Sequence, residues 1–197
     1  MTPAVKFLLI ANTAVFILQN FLSYRFLLLF GLVPKLIWDD LYLWQLFTYQ
    51  FLHGGLFHLL FNMLALWMFG CTLERRWGSE FFLKYYFVSA IGGGILNTLL
   101  MPGQVAPSIG ASGGIYGVLL AFGLIYPNQI IYLIVFPMKM KHYVWIIGAI
   151  SLYSSMSSGG SGIAHLAHLG GMLFGWLMIR YWRGQPPFRK RGPRLVK

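Results

Sequence analysis

The chain has 197 residues, of which 58% are hydrophobic, 18% aromatic and 10% charged, with a mean hydropathy of +0.68 and a net charge of +11. A soluble domain of this size cannot hide so much apolar surface, which leaves a multi-spanning membrane protein. The positive charge does not argue for nucleic acid. Seven of the fifteen basic residues lie between Arg180 and Lys197, directly after an apolar run, and a basic tail there anchors a chain to an anionic membrane surface.

Six apolar runs follow one another at about 4–22, 55–72, 80–99, 112–126, 142–157 and 163–182. Each is near the length needed to cross a hydrocarbon core of about 30 Å, the fourth and fifth being short. In lipid the backbone must satisfy its own hydrogen bonds, so the expected fold is all-α, a six-helix membrane bundle. The alternating polarity that a closed β-barrel needs is absent. The first run has no small-residue cleavage site and reads as a retained helix. The long connection 23–54 contains FLLLFGLVPKLIWDDLYLWQLFTYQF. It is too aromatic for a solvated linker and predicts short helices at the headgroup level. A single cysteine, Cys71, excludes an internal disulfide and a cysteine-built metal site.

Charge sets the expected orientation. Arg75 and Arg76 lie in the 73–79 loop, Lys139 and Lys141 in the 127–141 loop, and seven more cations in 180–197, whereas 100–111 and 158–162 carry no charge. In 23–54, Arg25 and Lys35 offset Asp39 and Asp40. The positive-inside rule therefore puts both termini in the cytoplasm. Residues 1–183 read as one membrane domain and 184–197 as a basic cytoplasmic tail.

Polar side chains inside such runs are costly and face a cavity or one another. His58 and Asn62 lie in the second run, Ser112 opens the fourth, and His165 and His168 lie in the sixth. The fourth run spans fifteen residues, roughly 22 Å of helix, about 8 Å short of the hydrocarbon core. Ser112 is thus expected below the outer surface, at about the depth of His168, His58 and Asn62. His58 and Asn62, four apart, share one face, as do Ser112 and Tyr116. Gly171 and Gly175 form a G-x-x-x-G patch suited to close helix contact. At 100° per residue His168 points toward it while His165 points away; Ala167 is taken as off the stripe. The same arithmetic turns Gly113 and Gly117 about 100–140° from Ser112, toward a different neighbour.

A serine hydroxyl becomes a nucleophile when a base takes its proton, and a neutral imidazole can do so. A developing oxyanion needs fixed donors, which a helix N-terminus, a histidine N–H and an asparagine amide supply. The chain has four acids, Asp39, Asp40, Glu74 and Glu80. None lies inside a run beside the histidines, which leaves a Ser-His dyad with Tyr116 to orient the imidazole by packing. His53, His58, His165 and His168 could instead hold Zn²⁺, or serve a proton or solute path. Against metal, there is no H-E-x-x-H and no intramembrane carboxylate to complete a site.

The motifs, taken in order, resemble one family. GASGGIYG, with Gly110, Ser112 and Gly113, is similar to the G-x-S-G motif of the rhomboid intramembrane serine proteases. HGGLFHLLFNMLALWMFG resembles that family's second helix, AHLAHLGGMLFG its sixth, and WQLFTYQFLH and ERRWGS its first-loop end and the loop after the second helix. Gln45 stands where many members carry Arg. The resemblance implies a six-helix rhomboid core without cofactor or metal, embedded in a lipid bilayer, here a bacterial inner membrane. It implies a protease that cuts single-span membrane proteins within or beside their transmembrane helices. Ser112 would be the nucleophile, His168 the base, and His58, Asn62 and the Ser112 amide the oxyanion hole. Tyr116, Gly110, Gly113 and Gly171 would support them. A non-catalytic binder of transmembrane helices is the other reading of the same fold; intact Ser112 and His168 favour the enzyme.

Overall fold

The computed structural model describes residues 1–133, 135–157 and 163–183. The expected tail 184–197 and the connection 158–162 lie outside the described residues.

Helices dominate and fall on the apolar runs. The first is α1, Pro3–Gln19, with proline in its first turn, where a missing N–H costs nothing. The aromatic connection folds into three short helices, α2 (Tyr24–Phe30), α3 (Pro34–Asp40) and α4 (Gln45–Thr48), the last running into a 3₁₀ turn, Tyr49–Phe51. The second run is α5 (Leu56–Ala65), a π turn at Leu66–Gly70 and α6 (Cys71–Trp77), a single rod from Leu56 to Trp77. Residues 73–77 were expected as loop. They continue the helix because CTLERRW contains no breaker before Gly78, which ends it at φ 81°. Then come α7 (Ser79–Leu100), α8 (Ser112–Ile125), α9 (Met140–Ser157) and α10 (Ile163–Trp182). Between α8 and α9, where a plain loop was expected, β1 (Ile130–Leu133) and β2 (Phe136–Lys139) pair antiparallel, Ile130 opposite Lys139. The β-branched and aromatic residues of IIYL favour the extended backbone over a coil. By length and hydropathy together, among the described residues, Leu56–Trp77 is long and apolar enough to cross a membrane; Pro3–Gln19 and Ser112–Ile125 are shorter apolar helices.

Small residues set the centre of the packing. A Cβ on Gly170 would sit 2.8 Å from the Gly93 Cα, and one on Gly171 1.9 Å from the Gly113 carbonyl oxygen. Thus α10 presses its backbone against both α7 and α8. The Glu74 carboxylate ties the far end together. It accepts the Ala4 and Val5 N–H groups at 2.8 and 2.9 Å, the Ser79 hydroxyl at 2.6 Å and the Thr2 hydroxyl. An acid from α6 therefore caps α1, satisfying N–H groups that the helix itself cannot.

Gln45 organises the connection. It is fully buried; its Oε1 accepts the Val33 N–H at 2.9 Å and its Nε2 donates to the Leu28 carbonyl at 2.8 Å. An amide thus bridges the ends of α2 and α3 without a guanidinium. Gln45→Leu would leave these groups unpaired at about 1–3 kcal/mol each. The variant is expected to melt several degrees lower in a detergent thermal scan, and an unchanged midpoint would remove Gln45 from this role.

Candidate active site

Ser112 is the first residue of α8, so its side chain leaves the helix at the end where backbone N–H groups are unpaired. Its Oγ lies 2.7 Å from His168 Nε2. The His168 ring stacks on Tyr116, centroids 4.0 Å apart and planes 9° apart, one turn along α8 from Ser112. His168 Nδ1 has no protein partner, so packing, not a carboxylate, fixes the ring. Of the four acids, Glu74 caps α1, Glu80 pairs with Lys84 and Asp39 with Lys35. His165 stands 5.9 Å from His168, edge to face, and Ser112 bonds to His168.

His58 and Asn62 lie on the same side of α5. The Gly54 N–H donates to His58 Nδ1 at 3.3 Å. An Nδ1 that accepts leaves the neutral ring's proton on Nε2, which becomes a donor. That nitrogen faces Gly110: a Cβ there would lie 2.9 Å from His58 Nε2 and 3.7 Å from Ser112 Oγ. Gly110 also has φ 128°, a conformation closed to other residues in practice. It is therefore required twice over, for the backbone path into α8 and for the open space between histidine and serine. Asn62 is buried, and its Nδ2 has no protein partner, leaving a free amide donor one turn along from His58.

Gly113 and Gly117 were expected to face a neighbour other than the helix bearing the histidine. Gly117 does meet another helix first, a Cβ there lying 2.3 Å from Ser89 Oγ of α7, yet both glycines also meet α10: Gly171 O lies 3.1 Å from that Cβ and the Gly113 carbonyl touches Gly171. The reason is proximity: α10 approaches so closely that it covers a wider arc of α8 than one wheel position. Ala167 is corrected too: expected off the glycine stripe, it lies four residues and so about 40° from Gly171, it is buried, and its carbonyl lies 2.5 Å from a Cβ on Gly93.

Tyr49, which helps hold the site, was not singled out in the sequence. It donates its hydroxyl to the Ala90 carbonyl at 2.6 Å, while its own carbonyl accepts the Gly110 N–H at 3.0 Å. It pins the approach to Ser112 against α7. Leu32 and Ser108 exchange backbone hydrogen bonds at 2.8 and 2.9 Å, holding the same approach to the first connection. His53, named in the sequence only as a possible Zn²⁺ ligand, is fully buried with its ring 5.0 Å from that of His58. Burial first, then the neighbouring His58 charge, lowers its pKa to about 4. It stays neutral at pH 7 and puts no cation behind the His58 donor. Lying before a helix, it gave no periodic signal that would tie it to His58.

A serine and a histidine thus meet in hydrogen-bond contact at the start of a helix, inside an apolar helical bundle. The chain belongs to the rhomboid family, a family of integral membrane proteins: the Rhomboid domain matches residues 40–184. It is 36% identical over 139 residues to Rhomboid protein 1, mitochondrial, of Saccharomyces cerevisiae, covering 66% of this chain and 40% of that protein. It is 34% identical over 137 residues to the putative rhomboid protease YdcA of Bacillus subtilis, covering 68% of this chain and 65% of that protein. RHOMBOID-like protein 12, mitochondrial, of Arabidopsis thaliana is 29% identical over 197 residues, 89% of this chain and 58% of its own. The chain thus spans less than two thirds of the length of each of these relatives.

Proposed function

We propose that this chain is an intramembrane serine endopeptidase that cleaves single-span membrane proteins within or beside their transmembrane helices. The observation that carries the reading is the 2.7 Å contact between Ser112 Oγ and His168 Nε2 at the N-terminus of α8. His168 Nε2 takes the hydroxyl proton as Oγ adds to the scissile carbonyl. The oxyanion meets the His58 Nε2–H, the Asn62 amide and the Ser112 N–H, donors fixed before the charge appears. His168 then hands the proton to the departing amine, leaving an acyl ester on Ser112. A water, deprotonated by the same nitrogen, hydrolyses the ester and restores the hydroxyl. Tyr116 holds the imidazole plane through both halves. The test is cleavage of a single-span substrate in liposomes, present with the intact chain and absent with Ser112→Ala.

In this reading α1, the α5–α6 rod, α7, α8, α9 and α10 are six membrane crossings. Both termini are cytoplasmic in a bacterial cell membrane, an orientation supported by Arg75, Arg76, Lys139 and Lys141 at one end of the bundle. Replacing His58 or Asn62 by alanine is expected to lower kcat by about 10²–10³ with a smaller change in KM. Single-turnover kinetics check this, and an effect confined to KM would make these residues substrate binders.

Depth dictates substrate choice. At fourteen residues α8 is roughly 21 Å long, so Ser112 sits about 9 Å short of the outer face of a hydrocarbon core of about 30 Å. A substrate helix hides its carbonyls in its own hydrogen bonds, and unwinding it in hydrocarbon costs several kcal/mol per unpaired group. Cleavage is therefore expected to favour helices whose outer end carries Gly, Pro or small polar residues. A Leu run in that place should stop cleavage and a restored Gly or Pro pair should revive it. Efficient cutting of an unbroken Leu helix at the bilayer centre would contradict this depth.

A further inference from the structure

A cavity lies away from the Ser112–His168 pair, between α8, α9 and α10. It holds about 460 Å³ and is lined almost wholly by apolar groups, among them Leu120, Trp145, Leu152, Leu169 and Met172, with Lys141 the charged residue on its wall. Along α9 the lining runs from Lys141 to Leu152, eleven residues or roughly 16 Å of helix, about half of a hydrocarbon core of about 30 Å. The cavity is therefore one leaflet deep, with its cation at the headgroup end.

The surroundings suit a lipid at that end. Lys141 has no carboxylate partner among the described residues. The acids there are taken: Glu74 by the start of α1 and Glu80 by Lys84. Arg76, 5.9 Å over the Tyr126 ring at the end of α8, adds positive charge to the same end. The β1–β2 hairpin, hydrogen-bonded to the start of α9 through Met140 N–H and the Gln129 carbonyl at 2.8 Å, exposes Ile130, Tyr132 and Phe136. Exposed aromatic and aliphatic groups beside lysines are what a segment at the membrane interface presents.

We propose that this cavity binds one acyl chain of an anionic phospholipid from the leaflet at the Lys141 end, with the phosphate on the Lys141 ammonium. The site touches the machinery without being part of it. Leu169 follows His168 directly, and Met172 follows Gly171, so a chain in the cavity backs the α10 segment that holds the imidazole.

The test uses the full chain in phosphatidylcholine nanodiscs doped with phosphatidylglycerol bearing a photoreactive diazirine near the end of one acyl chain. Irradiation followed by peptide mass spectrometry is expected to place adducts on the lining stretches of α8, α9 and α10. A Cβ on Gly148 would meet only the end of Met172, at 3.5 Å, so Gly148→Leu can fill the cavity and should abolish those adducts. Lys141→Gln, at an exposed helix start, keeps the packing intact and should weaken labelling roughly fivefold. Equal labelling by a phosphatidylcholine probe together with no response to Lys141→Gln would reduce the lipid to an ordinary annular one and overturn the proposal. Loss of the adducts when a single-span protein is added at saturation would make the cavity a helix-docking groove, and would overturn it equally.

Discussion

Ser112→Ala and His168→Ala are each expected to reduce cleavage of a single-span substrate to background, while circular dichroism and the thermal midpoint stay near those of the parent. When nucleophile and base act as a unit, losing either one typically costs about 10⁴–10⁶ in kcat. His165→Ala should retain most activity, because the serine bonds to His168 and the His165 ring stands 5.9 Å away from it. Equal loss from the two histidine variants would undo the assignment of the base. Tyr116→Leu belongs to the same experiment. It removes the ring that lies 4.0 Å over the imidazole but leaves both reacting atoms in place. A fall in kcat with KM preserved is the mark of a residue that positions the base.

The second large effect comes from a glycine. Gly171→Val is expected to inactivate the chain although it touches neither Ser112 nor His168. A Cβ at Gly171 would stand 1.9 Å from the Gly113 carbonyl oxygen, where ordinary contact begins at 3.4 Å. The two helices would have to part by about 1.5 Å, the difference between those distances. Gly113 immediately follows Ser112, and Gly171 lies one turn from His168, so the parting opens the 2.7 Å contact directly. A misplacement of about 1 Å can cost 10²-fold in rate, and overpacking adds about 1–3 kcal/mol of destabilisation. Gly148→Ala is the control, since its Cβ meets the flexible end of Met172 at 3.5 Å, an ordinary contact that requires no helix to move. Assays of both variants at temperatures below their own melting points separate lost geometry from lost fold. A fully active Gly171→Val would mean that α8 and α10 are not in this register.

Much of this arrangement is legible in the residues, for a definite reason. His58 with Asn62, and His168 with Gly171, are four and three apart, so local helix periodicity alone puts each pair on one face. Apolar length fixes where the rods lie, and Gly110 with Ser112 marks a helix start. What escaped depends on contacts distant in sequence. Glu74 caps a helix seventy residues earlier, and Tyr49 reaches Ala90 across forty-one. No window of neighbouring residues contains either partner. The π turn at Leu66–Gly70 likewise sits at a distant contact, for Gly70 lies against Val5 and Phe82. Ala167, about 40° from Gly171 on the wheel, belongs with the small residues along which α10 is buried against two neighbours, so setting it off the stripe misreads the periodicity. Gln45 is a position where the residue type differs from the family habit. The task there is to bridge a buried N–H and a carbonyl, which an amide can do because it both accepts and donates, whereas a guanidinium only donates.

The most direct test of a serine nucleophile held by a histidine is covalent capture. The protein in detergent or liposomes is treated with a fluorophosphonate, which phosphonylates an activated serine Oγ with loss of fluoride, and the modified residue is located by mass spectrometry. One adduct per chain is expected, on Ser112, formed at a rate that collapses in His168→Ala and survives in His165→Ala, and matched by loss of substrate cleavage as it accumulates. A chain that cleaves its substrate at full rate with Ser112 modified, or an adduct on Ser112 that forms equally fast without His168, would contradict the dyad.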